Sequence, residues 1–201
     1  MRRVILWTAV LLAVVVIVGV IVFRGRGIST QRAPLPGEQR VARAAWRFMI
    51  PAKIRDTTNP APNTPEVLEH ALEHFADHCA ICHANDGSGD TMIGRRLFPP
   101  APDMRVAGTQ GLTDGELFYA IEHGIPWTAM PGWRTGTDEG ARESWELVRF
   151  IRHLPSLTRA ELMRMESLNP RSPMEEKRDR DIDDFLKGGS KKPDTKPGHH
   201  K

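Results

Sequence analysis

The pentapeptide Cys79-Ala80-Ile81-Cys82-His83 constrains this chain more than any other feature, because it contains both of its cysteines. Two thiols separated by two residues, with an imidazole directly after them, form the attachment motif of c-type haem. In such a motif Cys79 and Cys82 form thioethers with the haem vinyl groups, and His83 reaches the iron from the same turn. The motif therefore predicts one covalently bound haem c.

Other uses of a cysteine pair agree less well with the surrounding sequence. A thioredoxin-like dithiol lies beside a βαβ pattern, and no convincing strand pattern surrounds residues 79–83. A structural zinc site needs four ligands, usually with a second pair, and a disulfide across two residues would constrain almost none of the chain. A redox dithiol and a chance occurrence remain the weaker alternatives.

The N-terminal segment predicts a membrane anchor. Residues 4–23 contain no charge and are rich in Val, Ile and Leu. As a helix they would be about 30 Å long, the thickness of a bilayer core. A cleaved signal peptide has an apolar region of only about 7–15 residues, followed by a small-residue cleavage site, whereas Arg24-Gly25-Arg26 follows here. We expect residues 1–23 to be a short cytoplasmic start and an uncleaved signal anchor.

The orientation of this anchor follows from the haem motif rather than from charge. Arg2 and Arg3 on one side are balanced by Arg24 and Arg26 on the other, and long domains translocate largely regardless of their charge. In the bacterial proteins that this motif resembles, haem c is attached on the outer side of the inner membrane. The expected localisation is therefore a single pass through that inner (cytoplasmic) membrane, with the haem domain in the periplasm.

Charge is distributed unevenly along the chain. Residues 65–155 contain 14 Asp or Glu, 7 Arg and no Lys, whereas residues 1–64 contain 10 basic and 2 acidic residues. Such a separation influences encounters with partners more than it influences the fold. We expect the acidic domain to meet a basic docking face on a redox partner protein, and the basic segment to lie near the inner-membrane lipid. No nucleic acid and no small-molecule substrate are expected.

Residues 24–63 are predicted to form a basic, proline-containing stalk. Residues 37–50 can form a helix with Arg40, Arg43 and Arg47 on one face and apolar residues on another. Such a helix could lie on a membrane surface, dock an acidic partner or be a solvated part of the stalk. Residues 51–63 contain three prolines and are expected to be extended.

Residues 64–155 predict an all-α domain. A capping threonine, a proline and an acid start the first helix at Thr64-Pro65-Glu66. A capping box starts a second helix at Thr113, and a third begins near residues 137–140 and ends before Pro155. A short C-terminal helix is expected in residues 156–169, whereas the charged residues 170–201 predict a disordered tail.

A haem held by His83 needs a sixth ligand or leaves the iron open. The histidines lie on the helix of the motif itself or at helix ends, where surface or capping roles are commoner. Met130 lies in a loop, residues 124–133, that contains two prolines and two glycines. A thioether is a soft ligand that suits haem iron, so Met130 is the favoured ligand, although spacing alone leaves a core methionine open.

Together these residues resemble the class I c-type cytochromes, and more closely small membrane-anchored monohaem cytochromes whose domain is similar to those of bacterial terminal oxidase subunits. The resemblance covers residues 65–154 and depends on the Cys-x-x-Cys-His motif, the order of helices and the Ala129-Met130-Pro131-Gly132-Trp133 loop. It implies the cytochrome c class I fold, with three to five helices around one covalent haem after a single transmembrane helix.

The same resemblance implies several contacts. The first and last helices of the domain should cross, bringing Phe75 near Trp145 or Phe150. A proline carbonyl, from Pro99 or Pro100, should accept the second N–H of His83. Trp133 is expected in the haem environment.

Ligation by His and Met raises the reduction potential of the haem iron and leaves no coordination position for a substrate. The expected function is one-electron transfer in a respiratory chain, by an electron carrier that is not itself an enzyme and serves a membrane oxidase or dehydrogenase complex. Two alternatives stay open. One is a haem-containing accessory or docking subunit of a membrane oxidoreductase complex, and the other is a haem c sensor or enzyme with a displaceable sixth ligand.

Overall fold

The computed structural model describes residues 2–26, 29, 34–171 and 173–188, and the regular structure in these ranges is entirely helical. The predicted all-α class is therefore confirmed. The α-helices of this part of the chain are α1 (Arg2–Arg26), α2 (Glu38–Met49), α3 (Ala52–Arg55), α4 (Pro65–His74), α5 (Ala80–His83), α6 (Ala107–Gln110), α7 (Asp114–His123), α8 (Asp138–His153), α9 (Arg159–Leu168) and α10 (Pro173–Leu186).

Helix α1 has the length and composition of a membrane-spanning segment. Its 25 residues form a rod of about 38 Å, which exceeds the hydrocarbon thickness of a bilayer. None of its apolar window is buried by the rest of the chain. An apolar helix at the N-terminus thus fits the predicted single-pass anchor.

The helix starts lie where the sequence predicts them. In each case a threonine side chain accepts a hydrogen bond from a backbone N–H in the first turn, which satisfies a donor that the helix itself leaves unpaired. Helices α7 and α9 add the reciprocal bond from a glutamate and so have complete capping boxes. The four capping residues are Thr64, Thr113, Thr137 and Thr158.

The core forms where α4 and its continuation pack against α8. The rings of Phe75 and Phe150 are 5.0 Å apart, and both side chains are fully buried. Ala71, one turn before Phe75, is also buried. The predicted contact between Phe75 and Phe150 is therefore confirmed, whereas Trp145 stacks instead on Phe118 with ring centroids 4.1 Å apart.

The proline-containing segment before α4 packs on the domain. The side-chain amide of the buried Asn59 donates to the carbonyl of Trp145 at 2.9 Å. Arg149 donates to the carbonyl of Ala61 at 2.8 Å. The expected boundary at residue 64 therefore falls inside a packed region, because α8 is hydrogen-bonded to the side chain of Asn59 and to the backbone of Ala61. Part of the expected extended stretch is also helical, as α3.

Helix α2 docks on the domain through basic side chains. Nε of Arg47 lies 2.7 Å from Oε1 of Glu116, a fully buried carboxylate in the first turn of α7. Nη1 of Arg43 donates to the carbonyl of Gly108 at 2.8 Å. Trp46, which lies between Arg43 and Arg47 in the sequence, is also buried. Residues 38–63 are thus part of the packed unit rather than a solvated stalk.

The charged tail differs from the expected disorder in its first part. Residues 173–186 are helical as α10, and residues 189–201 lie outside the described residues. Arg180 lies 3.8 Å from Glu176 one turn before it, and Arg171 lies 3.0 Å from Asp179. Oppositely charged side chains at helical spacing stabilise a helix. A high content of charged residues therefore does not by itself distinguish a helix from a disordered segment.

The docking of α2 predicts an asymmetric effect of two arginine substitutions. Replacing Arg47 by Met removes the charged partner of a buried carboxylate and should lower the free energy of unfolding by about 1–3 kcal/mol. It should also accelerate amide hydrogen exchange in residues 38–49. Arg40→Met, at an exposed position of the same helix, should change the stability by less than about 0.5 kcal/mol. Equal effects of the two variants would contradict the docked position of α2.

Candidate haem-binding site

The Cys-x-x-Cys-His motif lies where the first helix of the domain changes its winding. Helix α4 continues as a π-helical turn, Phe75–Cys79, and then as the short α5, which ends with His83. Single π-turns inside helices are frequent at functional sites. The next residue, Ala84, has a φ of 60°, so the chain leaves the helix sharply. The motif is thus presented on one turn between the buried core and the following loop.

Both thiols of the motif are free and partly buried. Burial, with a smaller contribution from the neighbouring Cys82, raises the pKa of the Cys79 thiol to about 12. The thiol of Cys79 therefore stays protonated at neutral pH. A redox dithiol or a nucleophilic cysteine requires the opposite, a lowered thiol pKa. The raised pKa of Cys79 therefore lends no support to the redox-dithiol alternative.

The imidazole of His83 is held in a largely buried position. Its Nδ1 atom is buried and has no hydrogen-bond partner in the structure. Burial lowers the pKa of His83, which favours the neutral ring that binds metal ions. A buried polar nitrogen without a partner is costly in a folded chain. The donor set of His83 and two free thiols therefore fits a covalently held haem.

The proline contact expected for His83 is not formed in this structure. Because Nδ1 of His83 lacks a partner, neither Pro99 nor Pro100 accepts its hydrogen. Pro99 follows a cis peptide bond and is half-buried, and Pro100 is exposed. The role of either proline stays a prediction for the chain with its haem.

The loop after the motif is tied to the motif by its backbone. The N–H of Gly89 donates to the carbonyl of His83 at 2.8 Å. Thr91 donates its hydroxyl hydrogen to the carbonyl of Cys82 at 3.3 Å and accepts the N–H of Gly94 at 2.8 Å. A Cβ atom at Gly94 would overlap the carbonyl oxygen of Cys82. Only glycine allows the loop to approach the motif this closely.

A second group of contacts closes the same loop at its far end. Arg105 lies between two carboxylates, with Nη1 2.6 Å from Asp86 and Nη2 2.8 Å from Asp103. Nearby, the N–H of Met104 donates to the carbonyl of Gly87 at 2.8 Å. Arg105 holds the pKa of Asp103 below its usual range, chiefly through their hydrogen bond. The bond between Arg105 and Asp86 joins residues 19 positions apart, so no local pattern predicts it.

Met130 lies in a loop whose backbone folds back on the end of α7. The N–H of Ile125 donates to the carbonyl of Met130 at 3.1 Å, and the N–H of Trp133 donates to that of Ile121 at 2.9 Å. The hydroxyl of Thr128 accepts the N–H of Met130 at 3.1 Å. These bonds hold the backbone of Met130 in one place, and its side chain is half-buried.

Large apolar side chains are exposed on the motif and on the two loops. Clusters of exposed apolar side chains on a folded domain often mark a ligand or partner site. They belong to the three segments expected around a haem, which is a further point in favour of the assignment. These residues and their exposed fractions are Ile81 59%, Met92 66%, Ile93 40%, Trp127 90% and Trp133 39%.

The histidines on the helix of the motif contact protein groups. Nδ1 of His70 lies 2.6 Å from the buried Glu146. The ring of His78 lies edge-on to Trp133, with centroids 5.7 Å apart, and also contacts His74. Trp133 is thus placed beside α4 and its continuation. The spacing of four between the histidines signals a shared helix face, and the expectation that none of them is an iron ligand stays a prediction.

Residues 67–151 match the family model described as cytochrome c oxidase, cbb3-type, subunit III. The matched segment begins in α4, ends in α8 and contains Cys79, Cys82, His83 and Met130. The match confirms the resemblance inferred from the motifs: this part of the chain is a c-type cytochrome domain like those of cbb3-type oxidase subunits.

The close approach at Gly94 predicts a specific loss of haem attachment. In Gly94→Ala the added methyl group would displace the loop from the carbonyl of Cys82, so covalent haem per polypeptide should fall several-fold. The yield can be measured by haem absorbance after denaturing electrophoresis. Gly136→Asn is the matched control, because a Cβ there meets no atom and Asn tolerates a positive φ. Full haem incorporation in Gly94→Ala would refute the close approach.

Proposed function

We propose that the c-type cytochrome domain of this chain carries single electrons at a bacterial inner membrane, on one haem c held by Cys79, Cys82 and His83. The family match supports haem-dependent electron transfer. The observation that carries the covalent attachment is the turn itself, on which two free, partly buried thiols directly precede His83. The function is that of an electron carrier rather than a catalyst.

Each residue of the motif has a distinct task in this proposal. Cys79 and Cys82 form the thioethers, and His83 provides one axial ligand. When bound, the haem supplies an iron that accepts and releases one electron. The backbone bond from Gly89 to His83 and the bond from the Thr91 hydroxyl to the carbonyl of Cys82 keep the ligand turn fixed. A rigid ligand turn limits rearrangement when the charge of the site changes.

Met130 is proposed as the second axial ligand. Its backbone is fixed by Thr128 and Ile125, and a thioether suits haem iron. Two protein ligands would leave no coordination position for a substrate, which favours electron transfer over catalysis. Within the same site, Pro99 or Pro100 would accept the hydrogen of His83 Nδ1 and orient the ring, and Trp133 would lie in the haem environment.

The proposed partner is a membrane oxidase or dehydrogenase complex with a basic docking face. The domain from residue 65 to 155 has twice as many acidic as basic residues, and complementary charge accelerates encounter. The exposed Trp127 and Ile81 offer apolar contact area in the segments around the haem motif. Helix α1 would anchor the chain, with the domain on the periplasmic side, where haem c is attached.

A permanent subunit of an oxidase complex is the second candidate function. The family model that matches is that of an oxidase subunit, and α2 is docked on the domain rather than free. The segment between α1 and α2 is residues 27–37, which is much shorter than the stalk of 24–63. A short connection favours a domain that stays at one place over one that moves between distant partners.

Ligation by Met130 is tested by two methionine substitutions. Met130→Ala should abolish the near-infrared band of methionine-ligated ferric haem. It should also lower the midpoint potential by on the order of 0.1 V, since axial ligands control a range of about 0.8 V. Met92→Ala, at a side chain 66% exposed in the loop after the motif, should leave both unchanged. A wild-type protein without this band, or a Met130→Ala variant that retains it, would exclude Met130 as the ligand.

A further inference from the structure

Helix α2 is packed with its polar face inward. Arg43 and Arg47 contact Gly108 and Glu116 of the domain, and Trp46 between them is buried. These three residues share one face of the helix, since positions three and four apart are neighbours on a helix. The contacts hold α2 against α6 and α7 and leave the other face of the helix turned away from the domain.

The outward face of α2 is apolar. Val41, Ala45 and Phe48 follow one another at helical spacing, with Met49 beside them. Phe48 is 87% exposed, Val41 71% and Met49 58%, and Ala45 is also exposed. A helix on the surface of a soluble domain has the reverse arrangement, with its apolar stripe on the core. A contiguous apolar face directed outward is typical of a membrane or partner contact.

The position of α2 in the chain indicates which environment this is. Helix α1 ends at Arg26 and α2 begins at Glu38. The 11 residues between them can span at most roughly 40 Å when fully extended. The bilayer that α1 crosses is therefore an apolar phase that the chain itself keeps within reach of α2. Lys53 is exposed just beyond the C-terminal end of α2, where it can meet anionic headgroups.

We propose that α2 lies in the interface of the membrane that α1 spans, with the face of Val41, Ala45, Phe48 and Met49 in an anionic phospholipid bilayer. The inference depends on the membrane anchor of the proposed function. Because Arg43 and Arg47 clamp α2 to the domain, an interfacial α2 also fixes the orientation of the haem domain over the membrane. The domain is then held against the lipid surface instead of moving freely at the end of a stalk.

Photocrosslinking of the full-length chain tests this inference. The chain is placed in nanodiscs of phosphatidylethanolamine and phosphatidylglycerol, with benzoylphenylalanine in place of Phe48. The control carries the same group in place of Met163, which is 62% exposed on α9. Irradiation should yield at least about fivefold more lipid adduct at position 48, because an interfacial helix buries its apolar face about 5–10 Å into the lipid boundary.

Two results would overturn the inference. One is an equal yield of lipid adduct at the two positions, and the other is crosslinking of position 48 to a second copy of the chain. Flotation with vesicles reports the anchor separately: a chain that floats without lipid adduct at position 48 disproves the interfacial helix and leaves the anchor intact. A chain that does not float disproves the anchor and the interfacial helix with it. The visible spectrum of the haem reports its incorporation in the same samples.

Discussion

The packing of α4 against α8 is the constraint on which the rest of the structure depends. Phe75, the residue after the end of α4, contacts Phe150 of α8 and begins the π-helical turn that leads to Cys79. On the other side, α8 binds the segment before α4 through Arg149 and the carbonyl of Trp145. One helix crossing therefore sets the position of the haem motif and of the chain that leads back to the membrane.

Buried carboxylates join the remaining helices to this crossing. Burial of a charge is costly unless it is paired or hydrogen-bonded, and each of these glutamates has a partner on another helix. Glu116 pairs with Arg47 of α2, and Glu122 accepts the hydroxyl hydrogen of Ser144 at 2.6 Å. Glu122 lies at the end of α7 and its carbonyl accepts the N–H of Arg134. The loop of Met130 is thereby fixed relative to α8.

The features that sequence predicted are those encoded locally. Capping threonines gave the helix starts because each bond joins residues three apart, and the haem motif is complete within five residues. The docking of α2 was not predictable, since Arg47 and Glu116 are 69 positions apart. The sequence shows that α2 has one basic and one apolar face. It does not show which of the two faces packs against the domain. The hydrogen bond of Asn59 was not predictable for the same reason, since its partner lies 86 residues further on. Which proline carbonyl accepts the N–H of His83 also depends on how distant segments of the chain pack.

Binding of carbon monoxide to the reduced full-length protein tests the central claim most directly. The claim is that one haem is covalently held and that two protein ligands close its iron. An intact mass increased by one haem, with no change in the visible spectrum when carbon monoxide is added, is the predicted result. Rapid, stoichiometric binding of the gas would contradict it and would favour a haem sensor or enzyme with an open coordination position.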